Sequence, residues 1–310
     1  MSPAFRCARA SADRNEPIAG TASTVRAFLL VEDPGPWGVN AVADCRLPDD
    51  VCAALAERAA GAGVRVLLIR RHGRSAPEEP RVFAAFTDRS GPWVETGRVP
   101  DPRRLLDLDL AAVGAGRSPG LERYDGPLFL VCTHGRHDAC CAERGRPSAA
   151  ALSAVEPEAT WEVSHIGGDR FAGNMLVLPE GIYYGRLTPE AAIRTAQEHR
   201  AGRLHLPYVR GRSSSPFAVQ AAEAYLRDEL GEARLGAVSP LSAQRTGAQT
   251  AVVFEVAARS DRADRADRAD RAGRWQVTVR GSRTEPAQLT CRATHASSAP
   301  GHGLIAITRV

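Results

Sequence analysis

This chain of 310 residues contains no lysine, no long hydrophobic run and no concentrated patch of positive charge. All its basic residues are arginines, which are scattered among carboxylates, and the net charge is only +4. A nucleic-acid surface needs a basic stripe with aromatic residues nearby, so we expect no nucleic-acid partner. A transmembrane helix needs about 20 apolar residues in succession, so we also expect no membrane span.

The chain also lacks an apolar signal core in its first residues, MSPAFRC, which favours a cytoplasmic location. Structural disulfides are disfavoured in that compartment. Of the seven cysteines, four are dispersed, and we predict them to be small buried hydrophobic residues: Cys7, Cys45, Cys52 and Cys291. The other three fall within ten residues of one another and require a different explanation.

Apolar runs and Gly/Pro breakers follow the same order in both halves of the first 200 residues. The first half predicts a strand at 27–31, a helix at 48–61, strands at 64–69, 81–87 and 93–99, and a helix at 101–113. The second half predicts a strand at 127–131, a helix at 147–155, strands at 160–164, 174–178 and 182–187, and a helix at 188–200. This repeated β-α-β-β-β-α order predicts an α/β fold with two tandem thioredoxin-like units.

The remaining third predicts a small α+β module after a polar, basic connector at 204–215. An amphipathic helix begins at Pro216 and is followed by strands at 250–256, 275–279, 288–292 and 304–308. Three Asp-Arg-Ala repeats at 261–269, and a fourth at 270–272, have too little apolar content to pack and predict a mobile hairpin loop. The predicted domains are 1–115, 116–210 and 211–310.

Residues with metal-ligand chemistry follow the strand predicted at 127–131. The stretch CTHGRHDACC begins at Cys132 and ends with Cys140 and Cys141, and the later stretch SHIGGD contains His165 and Asp169. Packing requires none of these residue types, so we predict a chemical site at one edge of the sheet.

The spacing within the cluster leaves two kinds of metal site open. Iron–sulfur clusters take thiolate and imidazole ligands, and the nine residues from Cys132 to Cys141 allow a loop to wrap a two-iron unit. A zinc site from Cys132, Cys141, His165 and one further ligand is chemically possible, but the usual Cys-x-x-Cys knuckle is missing. The adjacent Cys140 and Cys141 would make a strained disulfide.

At these residues the chain resembles the sucrase/ferredoxin-like family, whose members carry a thioredoxin-like ferredoxin domain. The matching segments are CTHG with Asp138 and Cys141, then SHIGG, RFAGN, LP and YGRL, within residues 132–187. Upstream, Cys7, GTA at 20–22 and LVEDPGPW at 30–37 extend the resemblance to residues 5–215.

The resemblance implies a [2Fe-2S] cluster held by two cysteines and two histidines, with the histidines spaced His-x-x-x-His. Cys132, Cys141 and His165 match that pattern, whereas Asp169 stands in the place of the second histidine. A carboxylate is a harder donor that would lower the reduction potential. Cys140 is an alternative fourth ligand.

Three neighbouring residues are expected to support the cluster. We predict that His134 orients or shields the site through hydrogen bonds. Gly167 and Gly168 would let backbone amides approach the sulfides, or would simply form a tight turn.

The sequence therefore predicts a cytoplasmic [2Fe-2S] electron carrier or redox-responsive protein. A separate protein would be its electron donor or acceptor, because no Gly-x-Gly-x-x-Gly or flavin fingerprint is visible. The alternatives are a thioredoxin-like thiol protein that uses Cys140 or Cys141 and a binding protein without a cluster. A glycoside hydrolase would need two carboxylates in a sugar cleft, and no aromatic-lined carboxylate pair lies near these motifs.

Overall fold

A computed structural model describes residues 4–73, 79–258 and 271–310. These residues form a mixed α/β structure with one ten-stranded sheet and a separate four-stranded sheet. Within the described ranges, no helix combines the length and apolar character needed to cross a membrane. Most of the predicted Asp-Arg-Ala loop, residues 261–270, lies outside them.

The first half follows the predicted order of elements. After α1 (Cys7–Asp13) come β1 (Ala27–Glu32), α2 (Asp49–Ala62), β2 (Val64–Arg70), β3 (Arg81–Phe86) and β4 (Trp93–Arg98). The predicted helix at 101–113 consists of two pieces, the 3₁₀ helix Pro102–Asp107 and α3 (Leu110–Gly114), and β5 (Glu122–Arg123) follows. Each piece has its own N-cap: the carboxylates of Asp101 and Asp109 each accept a backbone N–H at the start of one piece.

The second half contains β6 (Leu128–Cys132), α4 (Ala139–Val155), β7 (Thr160–Val163), β8 (Met175–Leu178), β9 (Ile182–Tyr184) and α5 (Pro189–Arg200). The predicted start of α4 at Pro147 is wrong. Proline is favoured in the first turn of a helix, but here it lies in the interior, and Asp138 caps the true start by accepting the N–H of Cys140. Cys140 and Cys141 therefore lie in a helical turn and not in a loop.

One further strand, β10 (Val209–Arg212), forms inside the segment predicted to be a connector. Its basic composition suggested solvent exposure, but the side chains of Arg210 and Arg212 are buried. The large sheet has the strand order β10-β9-β8-β6-β7-β2-β1-β3-β4-β5.

In each half of the large sheet the two strands nearest the middle of the whole sheet form a parallel pair, β1 with β2 and β6 with β7. The halves join where β2 and β7 pair antiparallel through two residue pairs, Ile69 with Val163 and Arg70 with Glu162. These are the C-terminal ends of both strands. The loops that follow β1 and β6 therefore emerge near this junction of β2 and β7, which we call the central seam.

The four-stranded sheet is an antiparallel meander of β11 (Val238–Thr246), β12 (Gln249–Val256), β13 (Gly273–Arg283) and β14 (Pro300–Arg309), covered by α6 (Phe217–Leu230). The predicted strand at 288–292 is wrong: the segment between β13 and β14 forms only an isolated bridge, between Ala287 and Ser297. β11 was not predicted, because most of its residues are polar and exposed.

Two of the dispersed cysteines depart from the prediction, since Cys45 and Cys52 form a disulfide between the loop that precedes α2 and the first turn of that helix. The other two are free thiols, of which Cys7 is buried as predicted and Cys291 is only partly buried.

A buried charge network connects α6 to the large sheet. Glu223 is hydrogen-bonded to Arg227 at 2.9 Å and paired with Arg89, and Arg212 lies close by. Burial alone would raise the pKa of Glu223, but the three arginines outweigh it and lower the pKa from 4.5 to about 2. The ionised carboxylate is therefore part of the folded state.

We predict that Glu223→Gln lowers the free energy of unfolding near neutral pH by about 3–5 kcal/mol, because three cations lose a buried partner. The contribution of Glu223 should be complete above its ordinary pKa of 4.5 and should disappear as the pH falls towards 2. Urea unfolding at several pH values measures both effects. Glu229→Gln, on the exposed face of α6, is the control and should change little.

Candidate metal centre

Cys132 and Cys141 meet because α4 packs closely on the end of β6. Cys132 is the last residue of β6, Cys141 lies in the first turn of α4, and each is 1% exposed. One turn further along α4, a Cβ on Gly145 would lie 1.9 Å from the carbonyl oxygen of Cys132. The absence of a side chain at position 145 thus lets the helix approach the strand.

The loop after β7 brings the other two predicted ligands to the thiols. His165 Nδ1 lies 2.9 Å from Asp169 Oδ1, and the Cys141 sulfur lies 3.2 Å from the same oxygen. The ligand atoms of Cys132, Cys141 and His165 all lie within 4.8 Å of one another. The structure therefore brings together Cys132, Cys141, His165 and Asp169.

The electrostatics of the group favour ionised donors. A hydrogen bond from the Cys141 thiol lowers the pKa of Cys132 well below its ordinary value, and His165 adds to the effect against the opposing effect of burial. Burial lowers the pKa of His165, but hydrogen bonds with Asp169 and Cys132 outweigh it and raise the pKa to about 9. The pKa of Asp169 is lowered, because interactions with His165 outweigh its burial. A thiolate, an imidazolium and a carboxylate thus share one pocket, where a metal ion can take the place of protons.

Two further histidines hold this pocket. Nδ1 of His134 accepts the backbone N–H of His165 at 3.2 Å, and its Nε2 lies 2.6 Å from the carbonyl oxygen of Gly38. The ring of His137 stacks on that of His165 at 3.8 Å between centroids, and its Nε2 is 3.7 Å from Asp169. Gly38 belongs to the loop after β1, so the first half contributes directly to the site of the second.

Gly167 and Gly168 form a tight turn around a buried arginine. Their φ angles are 97° and 81°, in the region that favours glycine. A Cβ on Gly168 would lie 2.3 Å from Arg210, whose guanidinium donates to the carbonyl oxygen of Gly167 at 2.8 Å. The contacts observed for these glycines are thus those of a turn.

Arg210 is the site residue that the sequence did not reveal. It also donates to Asn174 Oδ1 at 2.9 Å and to the carbonyl oxygen of Thr21 at 2.6 Å, and so fixes the loop that carries His165 and Asp169. It lies in the basic segment at 204–215, and nothing in that composition distinguishes a buried arginine from an exposed one.

Cys140 faces away from this group. Consecutive residues of a helix point about 100° apart, and the sulfur of Cys140 lies 3.4 Å from that of Cys291 and not beside Cys132. Ligation of the same metal by Cys140 and Cys141 would require the first turn of α4 to rearrange.

The pocket opens to solvent on its histidine side. A cleft of about 390 Å³ is bordered by both halves of the chain, with Val39 and Arg65 on one side and His137 and His165 on the other. The side chains of His137 and His165 are 34% and 24% exposed. The thiols lie behind these rings.

One protein family matches the part of the chain that forms most of the large sheet. The family model described as sucrase/ferredoxin-like matches residues 18–211, which include all four residues of the pocket. The chain belongs to the sucrase/ferredoxin-like family. Comparisons with curated proteins and with solved structures give no match. The family match does not include α1 or the four-stranded sheet.

We predict that Gly145→Ala destabilises this family member by about 1–3 kcal/mol, the usual effect of overpacking, because the new methyl group would meet the carbonyl oxygen of Cys132. Gly61→Ala is the matched control: it also lies in a helix, but a Cβ there meets nothing within 4 Å. The control should gain about 0.5–1 kcal/mol from the better helix propensity of alanine. Urea unfolding of the two variants measures the difference, and equal effects would contradict the proposed close packing.

Proposed function

We propose that this sucrase/ferredoxin-like protein holds a [2Fe-2S] cluster at Cys132, Cys141, His165 and Asp169 and exchanges electrons with a separate protein. The observation that carries the proposal is the convergence of two buried thiols, an imidazole and a carboxylate at the end of β6. Thiolates and imidazoles are the protein ligands that such clusters use.

The chemistry of the donors fits a two-iron group. They form two pairs by their place in the fold: Cys132 and Cys141 at the junction of β6 and α4, and His165 and Asp169 four residues apart in one loop. Each pair would hold one iron. Backbone and side-chain contacts from Arg210 and His134 support the loop, as expected of a site whose ligands must be held in fixed orientations.

When bound, the cluster would supply one-electron redox chemistry, and the protein would control access to it. The two thiols are inaccessible to solvent, whereas the rings of His165 and His137 line the cleft. A partner protein that docks over this cleft would approach the cluster from the imidazole side.

The topology supports two tandem thioredoxin-like units as the framework. The strand orders β4-β3-β1-β2 and β9-β8-β6-β7 are equivalent, and each ends in a parallel pair beside which two further strands run antiparallel to their neighbours. In this proposal the first unit has lost the ligands, and its loop after β1 contacts the site of the second unit.

A single metal ion is the second candidate, because the donor atoms of Cys132, Cys141 and His165 lie within 4.8 Å of one another. That spacing suits one tetrahedral zinc ion with Asp169 as the fourth ligand.

The thiol-enzyme alternative has less support. Burial raises the pKa of Cys140 to about 11, and the pKa of Cys141 is also raised, first by its hydrogen bond with Cys132. Reactive cysteines have lowered pKa values and some exposure.

The decisive measurement is the visible spectrum of protein purified without oxygen, together with its iron and acid-labile sulfide. We predict a coloured protein with two irons and two sulfides per chain. Cys132→Ser and Cys141→Ser should each abolish the colour. The double variant Cys45→Ser/Cys52→Ser is the control and should retain it, since that disulfide lies outside the pocket. Colourless protein with one zinc per chain at this pocket would favour the single-ion candidate.

Asp169→His tests the fourth ligand. If Asp169 binds iron, the histidine variant should keep the cluster and raise its reduction potential, because a neutral imidazole replaces an anionic donor. The new ring should also add a pH-dependent contribution to the potential, beside that of His165, near its own proton equilibrium.

Redox titration of the parent and two variants separates the ligand alternatives. If Cys140 is the ligand, Asp169→His should leave the potential nearly unchanged and Cys140→Ser should shift it. A parent that binds no iron under any reconstitution would contradict both assignments.

A further inference from the structure

Three cysteines outside the proposed cluster site meet on the other side of α4. Cys7 belongs to α1, Cys140 to the first turn of α4, and Cys291 to the segment between β13 and β14. The sulfur of Cys291 lies 3.4 Å from that of Cys140 and 3.6 Å from that of Cys7. Cys7 and Cys140 are buried and Cys291 is partly buried.

A buried carboxylate completes the group. Asp138 is 0% exposed, and its two oxygens accept the backbone N–H of Cys140 at 2.9 Å and that of Cys291 at 2.6 Å. The sulfur of Cys7 lies 3.6 Å from both oxygens. These partners are neutral amides and a thiol, so a cation at this position would add the attraction that they do not supply.

The distances fit a tetrahedral metal ion. Metal–sulfur bonds of about 2.3 Å place two sulfurs of a tetrahedral zinc site roughly 3.8 Å apart. All four ligand atoms here lie within 4.8 Å of one another. A disulfide, by contrast, would join only two of the three thiols at about 2.05 Å and would not account for the third thiol beside them.

We propose that Cys7, Cys140, Cys291 and Asp138 form a second metal site, which binds one zinc ion independently of the site at Cys132 and Cys141. Binding would release the three thiol protons to solvent and form three zinc–sulfur bonds and one zinc–oxygen bond. The ion has no redox chemistry, and with four protein ligands it keeps no open position for substrate. The site is therefore structural.

The zinc ion would join three segments that are distant in sequence. α1 and the 284–299 segment each touch the start of α4 here, and Arg292 also donates to the carbonyl oxygen of Arg136 at 3.0 Å. Cys7 and Cys291 both lie outside the residues matched by the family model. The site thus ties the two ends of the chain to the family core.

Cobalt(II) is the probe, because tetrahedral cobalt thiolate sites have intense visible and charge-transfer bands. The full chain would carry Cys132→Ser and Cys141→Ser, so that the first site is absent, and would be reduced and stripped of metal before titration. We expect one cobalt per chain with thiolate bands that zinc displaces. The melting temperature should rise with zinc concentration, since the ion binds the preformed site of the folded state more tightly than the unfolded chain.

Loss of ligands is tested in the same background. Adding Cys291→Ser should abolish the thiolate bands and the zinc-dependent rise in melting temperature. Cys291 is only partly buried, so this variant should fold. Adding Cys45→Ser and Cys52→Ser instead should leave both signals intact. If the background variant does not fold, the zinc content of the otherwise unaltered protein is compared with that of Cys291→Ser, and we expect one zinc fewer in the variant.

Three results would overturn the proposal. The first is the absence of thiolate-bound cobalt in a folded background variant, and the second is unchanged binding after Cys291→Ser. The third is a Cys140–Cys291 or Cys7–Cys291 disulfide in protein isolated without oxygen, found by peptide mapping under non-reducing conditions.

Discussion

The buried ion pair between Arg70 and Glu162 is the interaction on which the arrangement of the large sheet depends. Arg70 Nε donates to Glu162 Oε2 at 2.8 Å, and the two residues face each other where β2 pairs with β7. Thr133 donates to the same carboxylate at 2.8 Å, which connects the seam to the residue after Cys132. Removing one partner of a buried pair costs about 3–5 kcal/mol. A register slip that separated these residues is therefore strongly disfavoured.

The junction of β2 and β7 explains why the first half, which supplies no proposed ligand, still contributes to the site. Because β2 and β7 meet at their C-terminal ends, the loop after β1 lies beside the loop after β6. The guanidinium of Arg70 stacks on Trp37 at 4.1 Å, and the next residue, Gly38, contacts His134 through its carbonyl oxygen. The loop after β1, which supplies no ligand, thus forms one wall of the pocket that the second half supplies with ligands.

The sequence was sufficient where apolar patterning decides the structure. Continuous apolar runs correctly predicted strands such as β1 and β6, and the approach of His165 to Cys132 followed from strand-end loops sharing one edge. Apolar patterning failed where the structure depends on buried polar groups. Arg210 and β10 looked like an exposed connector because charge alone does not reveal a buried guanidinium with backbone acceptors. Pro147 pointed to a helix start that the Asp138 cap had already provided nine residues earlier.

That cap also determines which cysteines can share a ligand. If α4 began at Pro147, residues 139–146 would be a flexible loop, and both adjacent thiols could reach one metal ion. Because the helix begins at Ala139, Cys140 and Cys141 diverge by about 100°, and one faces Asp169 while the other faces Cys291. Asp138 itself fixes the helix start through one carboxylate oxygen and holds the Cys291 segment through the other. The division of the thiols into two groups is thus a consequence of where this helix starts.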